Sequence, residues 1–476
     1  MTPASRLIVG PFNRVEGDLE ISLAVADGIV SDARVTAPLY RGFEHILQHR
    51  PVSDALVVAP RICGICSVSQ SRAAAAAIAH WAGAEATANG RLAADLMLAA
   101  ETVADHLTHF TLFFLPDFAR AEYAGRPWFS AAATRFRALH GEAAQAFLPA
   151  RARFLHLMGL LAGKWPHTLA LQPGGSTKSI DSGERIRLLA ILAEARRFVE
   201  TQVIGDDLER FAALATPDAL AAWVTESESG DLRLFLRIAD DLDLKRLGRG
   251  PGTLMSYGTA LCSPGLWRDG VAAPLDLTSV REDVSHAWLA GTAEHPAQGR
   301  TLPDADKDAA YSWCKAPRLN AQPVEVGALA RQVIDGQPLF RDLMTHHGSN
   351  VRDRVLARLF ETARLLLAMD DWARALRPRD PFCADIPLPD SGSGVGLIEA
   401  ARGGLGHWLR VDRGRIAGYQ IIAPTTWNFS PRDAAATPGP LEQALVGTPV
   451  TPGETTPVAV QHVVRSFDPC MACTVH

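Results

Sequence analysis

The chain lacks any marked excess of charge of one sign: 47 basic residues face 52 acidic ones, a net of -5, spread along the length. That balance gives no electrostatic footprint for nucleic acid, and none is expected as a partner. Long apolar runs are missing too. The longest are broken by Arg, His or Pro before the ~20 residues that a membrane span requires, so no transmembrane segment is expected. The opening stretch MTPASRLIVGPFNRVEGDLEIS has neither a basic region followed by an apolar core nor a twin-Arg signal. The expectation is a chain without a targeting signal of its own, although a protein exported with a signal-bearing partner would look the same. No phosphate-binding glycine loop is present. GSGVG at 392–396 lacks the Lys-Ser/Thr of one motif and the full glycine spacing of the other, and reads as a flexible turn.

Against these absences stand 476 residues with 47% apolar and 21% charged side chains, enough for a large, well-filled core. Seven cysteines lie at 63, 66, 262, 314, 383, 470 and 473. An odd total with four members in two C-x-x-C pairs argues against a disulfide framework. Cys262, Cys314 and Cys383 read as ordinary buried thiols.

Two periodicities organise the chain. The first 40 residues alternate in period two and predict a small antiparallel sheet. After RGFEHILQHR the period becomes helical, with long helices expected at about 68–82, 90–115, 180–208 and 351–373. Residues 210–340 are punctuated by Gly and Pro, and HWLRVDRGRIAGYQII predicts a β-hairpin about Asp-Arg-Gly. The fold class is therefore mainly α with smaller β elements, α+β.

The pairs in RICGIC (Cys63, Cys66) and DPCMACTVH (Cys470, Cys473) carry the chemistry. Cysteines three apart can present both sulfurs to one ion, and four thiolates suit zinc, iron–sulfur or a soft transition metal. A structural zinc, a redox dithiol and a catalytic metal site all remain open on this pattern. The separation of the pairs by more than four hundred residues favours the catalytic site, because a helical body of this size needs no zinc staple.

The motifs together resemble the large subunits of the nickel-iron hydrogenases. RICGIC matches that family's N-terminal R-x-C-G-x-C motif, and DPCMACTVH its C-terminal D-P-C-x-x-C-x-x-H. Between them, in order, fall NRVEGD (13–18), YRGFE (40–44), DHLTHF (105–110), KWPHTLALQPGG (164–175), EAARGGLGHW (399–408) and APTTWNFSPRD (423–433). The resemblance implies one domain over 1–476, made of an N-terminal β region (1–45), a helical core (46–209), an irregular side lobe (210–340) and a closing part (341–476) with helix, hairpin and metal-binding segment.

It also implies roles. Cys63 and Cys470 would be terminal nickel ligands, and Cys66 and Cys473 would bridge nickel to an iron carrying one carbon monoxide and two cyanides. Glu16 would receive the proton from the Cys470 thiolate during H2 cleavage. Arg402, with Asp105 and Asp468 near it, would form a charged canopy over the metals. Thr425, beside Pro424, would donate to a cyanide. His476, Glu44 and the Ile421 carbonyl would hold a magnesium or ferrous ion. The implied partners are a small subunit carrying the iron–sulfur clusters and maturation proteins. His106 and His109 are left as core histidines.

Within that family, the sequence points toward the regulatory group: cytoplasmic H2 sensors, oxygen-tolerant, that signal to a histidine kinase and assemble as a dimer of heterodimers. Four features suggest this: no extension after His476, either because none is encoded or because the chain is already processed, a short length, Gln70 where catalytic members usually carry His, and the bulky Ile65 and Phe113 where many relatives have Val and Leu. The alternative is an energy-conserving uptake hydrogenase. Ala401, where the usual stretch has Pro, departs from the pattern beside Arg402.

Overall fold

Alternation in the N-terminal stretch closes into an antiparallel meander of β1 (Ser5–Val9), β2 (Glu20–Ala26) and β3 (Ile29–Thr36). The computed structural model describes residues 5–476, so the first four residues of the expected β region lie outside the described residues. Ile21 and Leu23 of β2 face the core, as do Val30, Ala33 and Val35 of β3. The phase change between Val30 and Ala33 follows a register shift near Ala24 and Val25, as a bulge produces. Asp27 and Gly28 turn the β2–β3 hairpin with φ of 51° and 75°, a mirror-image turn that suits the strand twist.

The helical expectations hold with local differences. Helix α1 (Ser67–Ala82) and α2 (Ala88–Thr108) sit near the predicted 68–82 and 90–115. The second stays α-helical only to Thr108. It then widens into a π turn over His109–Phe114 and tightens over Leu115–Ala119, where Pro116 lacks the N–H a regular helix would use. Helix α3 (Ser182–Phe198) starts on a capping box: Asp181 accepts from the Glu184 N–H while Glu184 accepts from the Asp181 N–H. It ends in a π turn at Ile204, stopped by Gly205 with φ 75°. Residues 210–340 contain short helices and small sheets, among them α4 (Ala328–Ile334). Helix α5 (Val351–Ala375) is buried nearly all round, with Val355, Leu359 and Phe360 in the core beside buried Arg354, Arg358 and Glu361. Charges on such a helix must find partners.

A second meander, β4 (Gly392–Ala400), β5 (Gly403–Asp412) and β6 (Arg415–Ile422), lies on α1. The predicted hairpin is β5–β6, turning on Arg413 and Gly414 with φ of 48° and 69°. The flexible turn expected at 392–396 is instead the start of β4. Its glycines are there for contact: a Cβ on Gly396 would stand 2.0 Å from the Ala73 carbonyl oxygen, and one on Gly394 2.1 Å from that of Ala77. Strand and helix backbones therefore touch, which only glycine permits. Among the described residues no helix is long and apolar enough to cross a membrane.

Gly396→Val should force β4 off α1 and destabilise the chain by about 1–3 kcal/mol, the usual cost of overpacking. Thermal denaturation checks this, and an unchanged melting temperature would show that the contact is not tight.

Candidate metal centre

The first cysteine pair sits in the turn that leads into α1, and the second begins the short helix Met471–Thr474. Backbone pairing brings the two ends together. The Met471 N–H donates to the Glu16 carbonyl at 2.7 Å and Glu16 N–H to that of Pro469 at 3.5 Å, a short parallel bridge between Glu16 and Cys470. Arg41 adds a clamp, donating to the carbonyl of Ile62 at 2.5 Å and also to that of Ala472, so one guanidinium spans both motifs. Glu101 of α2 supplies the cap that α1 lacks from its own residues: its carboxylate accepts from the Val68 N–H at 2.8 Å and from the Ser69 N–H at 2.9 Å. The start of α1, and with it Cys66, is thereby tied to α2.

All four sulfurs are buried and lie within 4.8 Å of one another. Cys66 and Cys473 are 2.9 Å apart, Cys470 and Cys473 3.1 Å, and Cys63 and Cys470 3.5 Å. Contact with Cys470, foremost among the shared sulfur contacts, holds Cys63 well down, whereas the same kind of contact drives Cys66 and Cys473 well up. Four thiolates this close repel one another, so without a cation the cluster keeps most of its protons. A soft metal group that balances the charge fits this donor set.

Around the sulfurs stand the other predicted residues. Arg402 donates to Asp105 from both terminal nitrogens at 2.5 and 3.1 Å, and its Nε donates to the Asp468 carbonyl at 2.9 Å. Burial pushes Asp105 up to about 7 against the pull of Arg402, while Arg402 outweighs burial at Asp468 and holds it low. Thr425 accepts from the Cys470 N–H at 3.2 Å, which leaves its own hydroxyl proton to donate; Pro424 opens the short helix that carries it. Glu16 is half-buried, and burial followed by the Cys63 charge raises its carboxyl above the ordinary range.

His476 has Nδ1 2.9 Å from the Cys473 carbonyl oxygen and Nε2 2.9 Å from that of Ile421, with Glu44 Oε1 3.4 Å from Nε2. A neutral imidazole has one N–H. If Nδ1 carries it, the Nε2 lone pair converges with two oxygen acceptors, the donor set of a small divalent cation. Lys315, from the 210–340 region, reaches the same Glu44 at 3.4 Å along with Glu282 and Gln420. Burial opposes ionisation of Glu44, but Lys315, then His476, hold it down to about 2.

Several expected features have a different place. Gln70 is held by a buried histidine: its Oε1 lies 2.8 Å from His407 Nε2, and Tyr419 closes the chain on the other ring nitrogen at 2.7 Å. Cys262 and Cys314 are buried thiols, with burial driving Cys262 up to about 12, but Cys383 is only partly buried. His106 and His109 are core histidines with partners, Glu361 and the Arg465 carbonyl. The sequence reading missed Arg41, Glu101 and Lys315. Glu101 alone left a trace, an acid four residues before Asp105 on the same face of a helix.

A buried four-sulfur pocket with a fixed cation and carboxylates beside it is the donor set of a soft-metal centre. A family model described as nickel-dependent hydrogenase matches residues 41–121 and 145–476. The periplasmic NiFeSe hydrogenase large subunit of Desulfomicrobium baculatum is 30% identical over 100% of this chain and 96% of its own. The uptake hydrogenase large subunit of Cupriavidus necator is 26% identical over 99% and 95%. Among solved structures, the H2-activated NiFeSe hydrogenase of Dm. baculatum superposes with a TM-score of 0.84 at 29% identity, covering 99% of this chain and all of the other. The as-isolated oxidised enzyme of D. vulgaris Hildenborough gives 0.84 at 27%, with the same coverage.

The chain belongs to the nickel-dependent hydrogenase family. It is the catalytic large subunit of a nickel-iron type hydrogenase, an oxidoreductase acting on H2. Three expectations fall. The relatives are named periplasmic and uptake enzymes, which overturns both the H2-sensing function and the cytoplasmic location, and nothing supports a histidine kinase partner.

Because burial raises Glu101 from 4.5 to about 7, its contribution to stability is present below pH 4.5 and lost as pH rises through 7. Glu101→Gln should flatten that decline, which is of order 3 kcal/mol at most. Denaturant titrations of both chains at pH 5 and 8 measure it, and an equal pH slope refutes the assignment.

Proposed function

We propose that this large subunit serves an energy-conserving uptake hydrogenase, oxidising H2 and passing electrons through a small subunit with iron–sulfur clusters to an electron-transport chain. The observation that carries the reading is the convergence of four buried sulfurs from the two ends of the chain. Support for the uptake role comes from relatives named as uptake hydrogenases and, in Wolinella succinogenes, as a quinone-reactive enzyme. The described apolar core runs from Val9 to Val475, which supports one working domain over the whole chain.

In this reading Cys63, Cys66, Cys470 and Cys473 would hold the nickel-iron group, with Cys63 and Cys470 as nickel ligands and Cys66 and Cys473 shared with the iron that would carry carbon monoxide and cyanide. When bound, the group supplies heterolytic cleavage of H2, yielding two protons and two electrons overall. The protein moves the proton. Cys470 Sγ accepts it and Glu16 takes it onward, since burial and then the Cys63 charge raise its carboxyl and make it a better proton acceptor than an ordinary one. Arg402 keeps a permanent positive charge over the sulfurs, anchored by Asp105 and Asp468. Thr425 and Arg402 orient the diatomic ligands from this chain's side. Glu44, His476 and the Ile421 carbonyl, which meet at the last turn, would hold a magnesium or ferrous ion there. Maturation proteins would load the metals.

Infrared spectra of the purified complex with its small subunit decide the metal assignment on which the reading rests: iron-bound carbon monoxide and cyanide bands that shift under H2 support it, whereas stoichiometric zinc without such bands defeats it. In the same complex Glu16→Gln should keep its metals while H2/D+ exchange falls by about 10²–10⁴, the range for losing a positioned acid–base group. Unchanged exchange removes Glu16 from the proton path.

A further inference from the structure

Arg402 stands in the tight turn between β4 and β5: Ala400 pairs with Gly403, leaving Ala401 and Arg402 as its two central residues. Two-residue hairpins favour positive φ and residues such as Asn-Gly. Neither Ala401 nor Arg402 has a positive φ, and Ala401 has no ring to fix its backbone. The turn that aims the canopy cation is therefore weakly determined by its own sequence.

What determines it lies beneath. Arg331 of α4 is fully buried and uses all five of its N–H groups. Nε donates to Glu361 Oε1 at 2.7 Å and Nη2 to Glu361 Oε2 at 2.5 Å. Nη1 donates to Glu399 Oε2 at 2.7 Å and to the Ala400 carbonyl at 3.0 Å, and Nη2 to the Ala401 carbonyl at 2.9 Å. The same Glu361 lies 2.8 Å from His106, the neighbour of Asp105 on α2. One buried ion pair thus grips both supports of Arg402: the backbone on which it stands and the helix carrying the carboxylate it binds.

We propose that Arg331, locked by Glu361 and Glu399, is a positioning residue that sets the orientation of Arg402 over the four sulfurs. It touches neither H2 nor the metals. The inference rests on the canopy role given to Arg402 above.

The test uses the complex with its small subunit and compares Arg331→Lys, Arg402→Lys and the double variant. Lysine keeps the charge facing Glu361 and Glu399 but has three donors instead of five, so the Ala400 and Ala401 carbonyls lose their partners. With nickel and iron content unchanged, Arg331→Lys should split or shift the carbon monoxide and cyanide bands and speed amide hydrogen exchange over 400–404. H2/D+ exchange should fall on the order of ten- to a hundred-fold, the scale of a small misplacement of a catalytic group. The double variant should lose no more than Arg402→Lys alone. Should Arg402→Lys itself leave bands and rate unchanged, the canopy reading fails. If Arg402→Lys is damaging but Arg331→Lys merely lowers the melting temperature, with bands and rate intact, Arg331 is structural and the proposal is overturned. Losses that multiply in the double variant overturn it as well.

Discussion

The metal centre depends on one contact between distant parts of the chain, the backbone pairing of Glu16 with the segment entering Cys470. Hydrogen bonds from Met471 to the Glu16 carbonyl at 2.7 Å and from Glu16 to that of Pro469 fix the segment entering Cys470, and Arg41 fastens that segment to the first cysteine motif through the Ala472 and Ile62 carbonyls. Four thiols in close contact gain little from one another in the absence of a cation. Their approach is imposed by a core that encloses both ends of the chain, and binding of the metal group then adds to the stability of that closure.

The same economy of contacts governs the charges around the sulfurs. Burying Arg402, Asp105, Arg331, Glu361 and Glu399 costs several kcal/mol per ion unless each is paired, and every one of them is. Such pairs contribute little net stability compared with apolar packing. They contribute direction, since a guanidinium with each N–H engaged has one orientation. That rigidity is what a centre needs if it is to hold a cation and a proton acceptor in fixed places about a reacting diatomic molecule.

Where the sequence reading went wrong, the cause was side-chain context. Gln70 was weighed as a missing imidazole near Cys66, yet its partner is His407 on a strand more than three hundred residues later. The glycines at 392–396 read as flexibility because alternation cannot show that a helix backbone lies against them. Ala401 stood only as a departure from the family pattern, and the structure restrains its turn through Arg331. In each case the deciding neighbour is far away in sequence.

By itself the sequence determined the α+β class, the four long helices, the N-terminal meander and the β5–β6 hairpin, because periodicity and turn residues are local properties. It also supplied the four sulfur donors, since C-x-x-C spacing is a local chelating geometry. The tertiary structure alone decided that the two pairs meet, that Glu101 caps the helix behind Cys66, and that Arg331 grips the turn beneath Arg402. Those are contacts between residues tens to hundreds of positions apart, set by how helices and strands pack around one core, and no local pattern encodes them.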